Sequence, residues 1–374
     1  MGHLTEVQRH ILRLHPLIDT PALILSEEIM DNNLSAAYEL SVQWQKLLRP
    51  HTKTHKSIFL AKKQLQYGAK GITVAKLSEA MVMADAGIDD IFIANQITHP
   101  LKLKKLRALH DKIRIIIGID NKTQINLLKP FFENSRKPLE VRIEINCGQN
   151  RAGIIPEKQL IELAAYINKY PWLKLDGIYT HAGQAYGSNS IDELSKTGFA
   201  EGECAEKSFN LLKKNNIHIQ TVSVGSTPTL PYSIQNKSVT EVRPGNYIFR
   251  DAMQIELNAA EVKQCALFIL STVTSHPQKD IVIIDAGSKT LTSDTTLKGD
   301  SFGIPLNLPG KIERLSEEHG IIVLDKETPV EIGMPVLIIP NHACPTANLF
   351  DNYTMINKEG NISILPVSAR GKSQ

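Results

Sequence analysis

The sequence predicts an α/β protein, a TIM-type (β/α)8 barrel followed by a smaller all-β domain, on three observations. From Leu47 to about Val242, eight short β-branched segments alternate with longer amphipathic ones, which is the strand count of such a barrel. Beyond about Met253, short β-branched segments are separated by Gly, Pro and Asn, with no convincing helix between them. No G-x-G-x-x-G follows the first strand, which disfavours a doubly wound open sheet.

Helix-capping residues indicate where several of the predicted barrel helices begin or end. Asn121 is placed to open one helix, and Gly68 and Gly87 to close two others. The eight strands are predicted at 47–50, 71–74, 90–94, 113–118, 140–145, 173–179, 220–224 and 238–242. Helices are predicted between most of them, at 57–67, 77–86, 100–110, 122–133, 156–170 and 191–215.

The remaining segments predict the second domain. A helix is expected at 4–14 and a strand at 22–25 that crosses over to the β domain. The strands of that domain are predicted at 266–275, 281–285, 320–324, 336–339 and 361–366. We therefore predict a barrel domain over residues 20–253 and a β domain over residues 254–374, on which residues 1–19 pack.

Charge and composition exclude several classes of function. The 42 Lys and Arg residues nearly balance 39 Asp and Glu, so neither nucleic acid nor a membrane surface is an expected partner. No apolar run reaches the length of a membrane span, and the polar N-terminus is unlike a secretory signal. Cys147, Cys204, Cys265 and Cys344 show no C-x-x-C pairing, which is typical of free thiols in the cytoplasm.

The most informative segment is Arg49–Lys56, R-P-H-T-K-T-H-K, at the end of the first predicted barrel strand. Alternation along an extended chain would place His51, Lys53 and His55 on one face. A lysine among imidazoles at a strand end is hard to explain as packing and is suited to a Schiff-base amine. A solvated basic loop explains this segment alone equally well.

Polar, Gly-rich clusters follow one predicted strand after another. Besides Lys53, they are residues 95–96, 146–151, 181–183, 225–227 and 244–247. Each alone is an ordinary turn composition, but six in one register indicate a site at the barrel mouth. Barrel enzymes commonly bind phosphate after strands seven and eight, where Gly225-Ser226-Thr227 and Gly245-Asn246-Tyr247 lie. An amine facing a phosphate site indicates pyridoxal 5′-phosphate.

A candidate metal site lies in the β domain, in Pro340–Thr346, P-N-H-A-C-P-T. On an extended chain His342 and Cys344 would share a face, so imidazole and thiolate are suited to one soft or borderline divalent ion. The pattern alone is weak, because a strand end with a buried cysteine has the same residues. Two protein ligands would leave room for water and substrate, which favours a catalytic site.

Six motifs together resemble one family of enzymes. They are R-P-H-x-K-T-H-K, N-x-x-x-x-R-A-G from Asn146, H-A-G-x-x-Y from His181, V-S-V-G-S-T-P-T from Val222, E-V-R-P-G-N-Y from Glu241, and H-x-C. The chain is similar to the D-threonine aldolase and D-serine dehydratase family of fold-type III pyridoxal-phosphate enzymes, an offshoot of the alanine-racemase fold. The resemblance runs from about Thr20 to Pro366.

The resemblance implies an alanine racemase-like barrel that binds pyridoxal phosphate, a metal-binding β domain, and a homodimer with the active site near its interface. It implies that Lys53 is the Schiff-base lysine, that Arg151 is a partner of the cofactor ring, and that His342 and Cys344 are metal ligands. Zinc is preferred for the thiolate, with manganese as the alternative. The further residues that match cofactor positions, several of them at the phosphate, are Tyr186, Gly225, Ser226, Thr227, Asn246 and Tyr247.

The implied activity is that of a metal-dependent lyase acting on a small D-3-hydroxy amino acid. A D-serine or D-threo-3-hydroxyaspartate dehydratase would release a keto acid and ammonia, whereas a D-threonine aldolase would release glycine and an aldehyde. Cys344 favours the dehydratase, because aldolase members tend to have Asp there; Asn146 departs from the Asp that members often carry. The H-x-C motif disfavours an amino-acid racemase, and the chain after Met253 disfavours a non-catalytic cofactor carrier.

Overall fold

The structure, a computed structural model, describes residues 4–155, 157–297 and 299–374 and contains two compact units. The barrel unit comprises Ala36–Lys53, Ile58–Gly245 and Gly371–Gln374. The sheet unit comprises the described part of Met1–Ser35 together with Thr54–Ser57 and Asn246–Arg370. These limits differ from the predicted domain limits, 20–253 and 254–374, which stay a prediction.

The strands and helices are numbered in chain order. The strands are β1 Ala22–Ser26, β2 Leu47–Leu48, β3 Ile72–Val74, β4 Asp90–Ile93, β5 Arg114–Ile119, β6 Leu139–Glu144, β7 Leu173–Tyr179, β8 Thr221–Val224, β9 Glu241–Val242, β10 Leu267–Gln278, β11 Ile281–Ile284, β12 Ile304–Pro305, β13 Gly310–Leu315, β14 Gly320–Leu324, β15 Pro335–Ile339, β16 Asn352–Ile356 and β17 Ile362–Pro366. The helices are α1 Glu6–Arg13, α2 Glu27–Gln43, α3 Ile58–Gln66, α4 Leu77–Asp85, α5 Pro100–His110, α6 Lys122–Phe132, α7 Lys158–Asn168, α8 Ile191–Lys214, α9 Leu230–Ser233, α10 Ala252–Glu256, α11 Ser288–Leu291 and α12 Ala343–Leu349.

Eight parallel strands form the barrel unit, in the order β2-β9-β8-β7-β6-β5-β4-β3. Hydrogen bonds from Lys70 N to Leu48 O and from Thr73 N to Pro50 O, both 2.8 Å, join the two ends of this sheet. An isolated parallel bridge between His51 and Thr73 continues the same pairing. The predicted barrel is therefore confirmed, and the open-sheet alternative is wrong.

The alternation of side chains along the strands separates an apolar outer layer from a mixed interior. In β4, Ile91 and Ile93 belong to the main core cluster, together with residues of the surrounding helices. Phe92, between them, instead packs with Ile116 and Tyr179 in a separate small cluster. The strands thus contact helices through one face, while the other face fills the barrel.

Paired charges occupy part of the barrel unit's interior. Arg142 donates through Nε to Asp176 Oδ2 (2.7 Å) and through Nη1 to Glu241 Oε1 (2.5 Å), and Arg49 Nε donates to Glu241 Oε2 (2.8 Å). Burial by itself would raise the pKa of Glu241, but the charges of Arg142 and Arg49 lower it well below its usual range. Each buried charge has a partner, which is the condition under which an interior tolerates charge.

In its described residues the sheet unit has nine strands, in the order β13-β14-β11-β10-β1-β16-β17, with β15 pairing with both β10 and β12. The early strand β1 pairs antiparallel with β10 and parallel with β16, so the predicted crossover of residues 22–25 to the β domain is confirmed. The prediction that no helix interrupts this domain is wrong, because α11 and α12 lie between its strands. Helix α12 begins within the H-x-C motif.

Most predicted elements are observed with small shifts at their ends. The first and last barrel strands are shorter than predicted, Leu47–Leu48 and Glu241–Val242. Pro50 has no N–H to donate, which limits the ladder after β2. Five positions lie outside the described residues: 1–3 in the predicted N-terminal part, 156 at the predicted start of a helix, and 298 in the predicted β domain. Within the described ranges, no helix is both long and apolar enough to cross a membrane.

Candidate active site

Lys53 lies just after β2, in a 3₁₀ turn formed by Thr52–Thr54. The predicted alternation of His51, Lys53 and His55 on one extended face is therefore wrong. The turn forms because the hydroxyl of its first residue donates to Thr73 O on the neighbouring strand (3.1 Å), a side-chain bond that competes with the extended ladder. Lys53 N donates to His51 Nδ1 (3.3 Å), and both side chains are half-buried.

His181 follows β7 and carries no charge at neutral pH. Its Nδ1 lies 2.5 Å from Gly225 O, and since a carbonyl only accepts, the ring donates through Nδ1. Burial of the ring and the positive charges of Lys53, Arg151 and Arg243 lower the pKa of His181 to about 3, against the opposite effect of the bond to Gly225. A neutral imidazole therefore lies within electrostatic reach of the Lys53 amine.

A buried carboxylate holds the loops after β7 and β8. Glu201 Oε1, on α8, accepts from Thr180 Oγ1 (2.8 Å), Ala182 N (3.2 Å) and Gly225 N (3.1 Å). Glu201 Oε2 accepts from Thr229 Oγ1 (2.9 Å). Glu201 was not predicted as a site residue, although it falls among the buried positions of α8 at helical spacing, which is an unusual place for a charge.

The loop after β8 contains a buried hydroxyl suited to a ligand. Ser226 Oγ has no hydrogen-bond partner within the described chain. An unsatisfied buried polar group costs about 1–3 kcal/mol, and a phosphate oxygen would satisfy it. A Cβ added to Gly225 would lie 3.1 Å from Arg243 Cβ, so glycine permits the close packing of this loop. Thr227 is buried in the same loop. These features fit the phosphate of pyridoxal phosphate.

Arg151 and Tyr186, the other predicted cofactor residues of the barrel unit, lie on the loops after β6 and β7. Arg151 is exposed, and its charge contributes to the lowered pKa of His181. Tyr186 is half-buried in the 3₁₀ turn Gly183–Gly187. The hydrogen bond from Gln184 Nε2 to Cys147 O (2.8 Å) joins these two loops. Both residues are on the side of the barrel that carries Lys53 and His181.

His342 and Cys344 come together at the start of α12, in the sheet unit. His342 is the extended residue before the helix (φ −134°, ψ 105°), and Cys344 is the second residue within it. The prediction that the two share a face of an extended chain is therefore wrong. The helix start brings them together instead, close enough for Cys344 to raise the pKa of His342. Among the described residues, no three or more His, Cys, Asp and Glu side chains form a metal-binding group.

Acidic groups surround His342. Its Nδ1 lies 2.9 Å from Asp294 Oδ2. Burial by itself would lower the pKa of His342, but the interaction with the Cys344 side chain, the charge of Asp251 and the hydrogen bond to Asp294 raise it to about 9. An imidazole and a thiol in contact are ligands that suit zinc. Binding a metal here would therefore displace protons from the pair.

Asp251, buried at the start of α10, connects Asn246 to α12. Its Oδ2 accepts from Asn246 Nδ2 (2.5 Å) and from Ala343 N (2.9 Å), and its Oδ1 accepts from Gln254 N (3.0 Å). Burial raises the pKa of Asp251. The sequence signal for this residue was the helix N-cap pattern of Asp251 followed three positions later by Gln254.

The hydrogen bond to Asp251 determines which group of Asn246 could bind a phosphate. Its Nδ2 is held by Asp251, and its Oδ1 is buried without a hydrogen-bond partner in the described structure. A phosphate needs donors, so Asn246 would bind it through the main-chain N–H rather than through the side chain. Tyr247 is buried in the same 3₁₀ turn, Asn246–Ile248.

Cys344 also contacts the segment that follows Lys53. Within the sheet unit, Cys344 Sγ donates to Thr54 Oγ1 over 3.3 Å. Thr54 directly follows Lys53 in the chain. The contact therefore joins α12 to the segment 54–57 within the sheet unit.

Comparison with known proteins gives matches over nearly the whole chain. Residues 26–252 match the family model of the alanine racemase N-terminal domain, and residues 266–356 match a putative serine dehydratase domain. The chain is 30% identical over 377 residues to D-serine dehydratase from Dictyostelium discoideum, covering 92% of this chain and 95% of the relative. It is 28% identical over 363 residues to D-threonine aldolase from Arthrobacter sp., covering 96% and 94%.

A solved structure agrees with these matches. D-threo-3-hydroxyaspartate dehydratase from Delftia sp. HT23 is similar with a TM-score of 0.89 and 26% identity, covering 94% of this chain and 98% of that one. A cysteine-to-alanine variant of the same enzyme is described in a metal-free form. The chain is thus similar to dehydratases and to an aldolase.

Proposed function

Because the chain belongs to the alanine racemase-like family that carries a serine dehydratase domain, we propose that it is a D-3-hydroxy amino acid dehydratase. Its relatives are dehydratases and aldolases, and the chain is a pyridoxal-phosphate-dependent lyase of the same kind. The proposed substrates are D-serine and D-threo-3-hydroxyaspartate, and the proposed products are a keto acid and ammonia. The proposed metal is zinc, with manganese as the alternative.

The observation that carries this proposal is the pairing of His342 with Cys344. The family resemblance associates a carboxylate at the second position with aldolases, whereas this chain has a thiol there. Imidazole and thiolate together favour zinc over harder ions such as manganese, which prefer oxygen ligands.

The residues present fit both groups. Lys53 would hold pyridoxal phosphate through its amine, with Ser226 Oγ and the main chain of Gly225 and Thr227 at the phosphate. Main-chain N–H groups of Asn246 and Tyr247 would complete that site, and Arg151 and Tyr186 would lie nearer the ring. When bound, pyridoxal phosphate supplies an electron sink for the charge that develops at Cα, and the metal ion supplies Lewis acidity to the β-hydroxyl.

Side chains of the protein would transfer the proton and keep the loops of the site in position. Lys53 Nζ, when it is not bonded to the cofactor, would take the proton from Cα as general base. His181 stays neutral, so it adds no positive charge beside Lys53, and its Nδ1 remains bonded to Gly225 O. Glu201 holds the loops after β7 and β8 at a fixed spacing. His342 and Cys344 would hold the metal ion, which would supply Lewis acidity to the β-hydroxyl.

The decisive experiment measures products. Purified enzyme with pyridoxal phosphate and zinc is incubated with D-serine, D-threo-3-hydroxyaspartate and D-threonine, and keto acid with ammonia is assayed against glycine with aldehyde. The L-enantiomers are the control and should remain unchanged. Keto acid from a D-substrate supports the proposal.

D-threonine aldolase is the second candidate, because the Arthrobacter relative of that name is 28% identical over 96% of this chain. Glycine and an aldehyde as the main products would replace the dehydratase proposal with this one. Racemisation of a D-amino acid without either product set would contradict both lyase candidates.

The proposed function is accompanied by a location, an oligomeric state and an absence of two kinds of partner. We propose a cytoplasmic homodimer with its active site near the subunit interface and with no nucleic-acid or membrane partner. The net charge of +3 supports the absence of a nucleic-acid or membrane partner. The four free cysteines support the cytoplasmic location. Light scattering of the purified protein should give twice the 41.6 kDa chain mass. A monomer at micromolar concentration would contradict the dimer.

A further inference from the structure

The segment that carries Asp294 is fixed to the residues of the H-x-C motif. Asn341, which precedes His342, is fully buried and donates through Nδ2 to Asp294 O (2.9 Å) and to Ser301 O (2.8 Å). Asp294 N donates to Thr292 Oγ1 (3.1 Å). The main chain of Asp294 is therefore held on both sides, independently of its carboxylate.

The backbone before Asp294 is strained, which is consistent with a fixed position. Thr292 has φ 70° and ψ 176°, a conformation that is almost restricted to glycine. A β-branched residue with this conformation costs about 1–3 kcal/mol and persists only where its surroundings impose it. The Oγ1 of this same residue accepts the bond from Asp294 N.

With the main chain fixed, the carboxylate of Asp294 is directed at one ring nitrogen of His342. Asp294 Oδ2 lies 2.9 Å from His342 Nδ1. A carboxylate on Nδ1 sets the ring orientation and keeps the proton on that nitrogen, which leaves Nε2 as the metal-binding atom. Carboxylates that bind the second nitrogen of a metal-ligating histidine typically contribute 10- to 100-fold to metal affinity.

We propose that Asp294 is a positioning residue that orients His342 for metal binding through Nε2. It acts through His342 and does not itself ligate the ion. The inference rests on the proposed function, because it assumes that His342 and Cys344 hold the metal.

Zinc affinity tests the inference without any measurement of activity. Metal-free protein is titrated with Zn²⁺ in competition with a chromophoric chelator. Asp294→Ala should bind zinc about 10- to 100-fold more weakly than wild type. Asp294→Asn keeps an oxygen that accepts from Nδ1, so its loss should be less than about 10-fold. The Ala variant retains the main-chain bond from Asn341, so its metal-free form should still fold, with a loss no larger than that of a half-exposed ion pair, about 1 kcal/mol.

Asp351→Ala is the matched control, since Asp351 is an exposed aspartate of the same unit whose partner is Arg370. It should leave zinc affinity unchanged. Equal zinc binding by Asp294→Ala and wild type would overturn the inference. It would also be overturned if Asp294→Asn bound zinc as weakly as Asp294→Ala, because the charge or direct ligation would then be responsible. If wild type and His342→Ala bind zinc equally, the metal site of the proposed function fails instead.

Discussion

The thiol of Cys344 donates a hydrogen bond to Thr54 Oγ1 over 3.3 Å. Thr54 is bonded to Lys53, so two residues that are 291 positions apart in sequence, Lys53 and Cys344, are linked by one peptide bond and one hydrogen bond. The hydrogen bond itself lies within the sheet unit, where it joins α12 to the segment 54–57.

Lys53 should be the residue that binds the cofactor covalently. The purified protein should absorb visible light, and borohydride reduction followed by peptide mapping should place the label on Lys53. Lys53→Ala should retain only non-covalent cofactor and lose activity by about 100- to 10 000-fold, the usual contribution of a general base. Lys76→Ala is the control and should keep both the label and the activity. A label on Lys56 or Lys76 would contradict the assignment.

Ser226→Ala should weaken cofactor binding without lowering the stability of the cofactor-free protein. Because Ser226 Oγ is buried without a partner among the described residues, its removal should leave the cofactor-free protein as stable as wild type or slightly more stable. A bond to a charged phosphate contributes about 1.5–3 kcal/mol, so cofactor affinity should fall about 10- to 100-fold. Equilibrium denaturation and cofactor titration measure the two effects.

Ser208→Ala is the matched control for that variant. Its hydroxyl is also buried, but it donates within α8 to Cys204 O (2.8 Å). The change should leave cofactor affinity unchanged. If both serine variants bind the cofactor as wild type does, the phosphate does not lie at Ser226.

Glu201→Gln should weaken the loops after β7 and β8. The carboxylate accepts four hydrogen bonds, and an amide nitrogen in place of one oxygen would face donors, so the free energy of unfolding should fall by about 1–3 kcal/mol. Urea denaturation measures this loss. Glu203→Gln, an exposed position on the same helix, should change stability by less than about 0.5 kcal/mol. Equal stabilities of the two variants would show that Glu201 does not hold these loops.

His181 should make the cofactor-free protein less stable in mild acid. Its folded-state pKa, about 3, lies below the unfolded value, so the unfolded chain binds the proton first as the pH falls. This contribution to stability is complete above the unfolded pKa and is lost as the pH falls from about 6.5 towards 3. Between pH 6.5 and pH 5 the loss should be about 2 kcal/mol.

His181→Asn tests that prediction, because Asn does not titrate and its amide can still donate to Gly225 O. Urea denaturation at pH 7, 6 and 5 should show a shallower pH dependence in the variant than in wild type. Parallel curves for the two proteins would mean that His181 titrates equally in the folded and unfolded chains.

Removal of the metal should abolish lyase activity without unfolding the protein. Two protein ligands leave the metal shell open, so EDTA should extract the ion while circular dichroism and cofactor absorbance stay unchanged. Zinc should restore the activity. Full lyase activity in protein shown to be free of metal would contradict a catalytic metal at His342 and Cys344 and favour the racemase alternative.

The barrel was predictable from sequence because its strands and helices have strong, regular hydrophobic patterns. The segment 100–110 was predicted as a helix and 173–179 as a strand, and both are observed with those limits. Position at strand ends was enough to bring Lys53 and the loop at Gly225 into one candidate site, because parallel strands of a barrel end on the same side.

The local conformations at the site could not be predicted in the same way. The turn at Thr52–Thr54 depends on a bond to Thr73, and the start of α12 depends on a bond from Ala343 N to Asp251. These partners are 21 and 92 positions away in the chain, so no local pattern contains them. Glu201 also has partners distant in the chain, Gly225 and Thr229, so its role could not be predicted from a local pattern.

The single oxygen Oδ2 of Asp251 is shared by two donors, Asn246 Nδ2 and Ala343 N. A ligand that shifts either donor changes the strength of the other bond, because both compete for one atom. Thermodynamic reciprocity then applies: the factor by which bound zinc changes the affinity for pyridoxal phosphate equals the factor by which bound pyridoxal phosphate changes the affinity for zinc. Any coupling between the two groups through Asp251 can therefore be measured from either side, by titrating one group with and without the other.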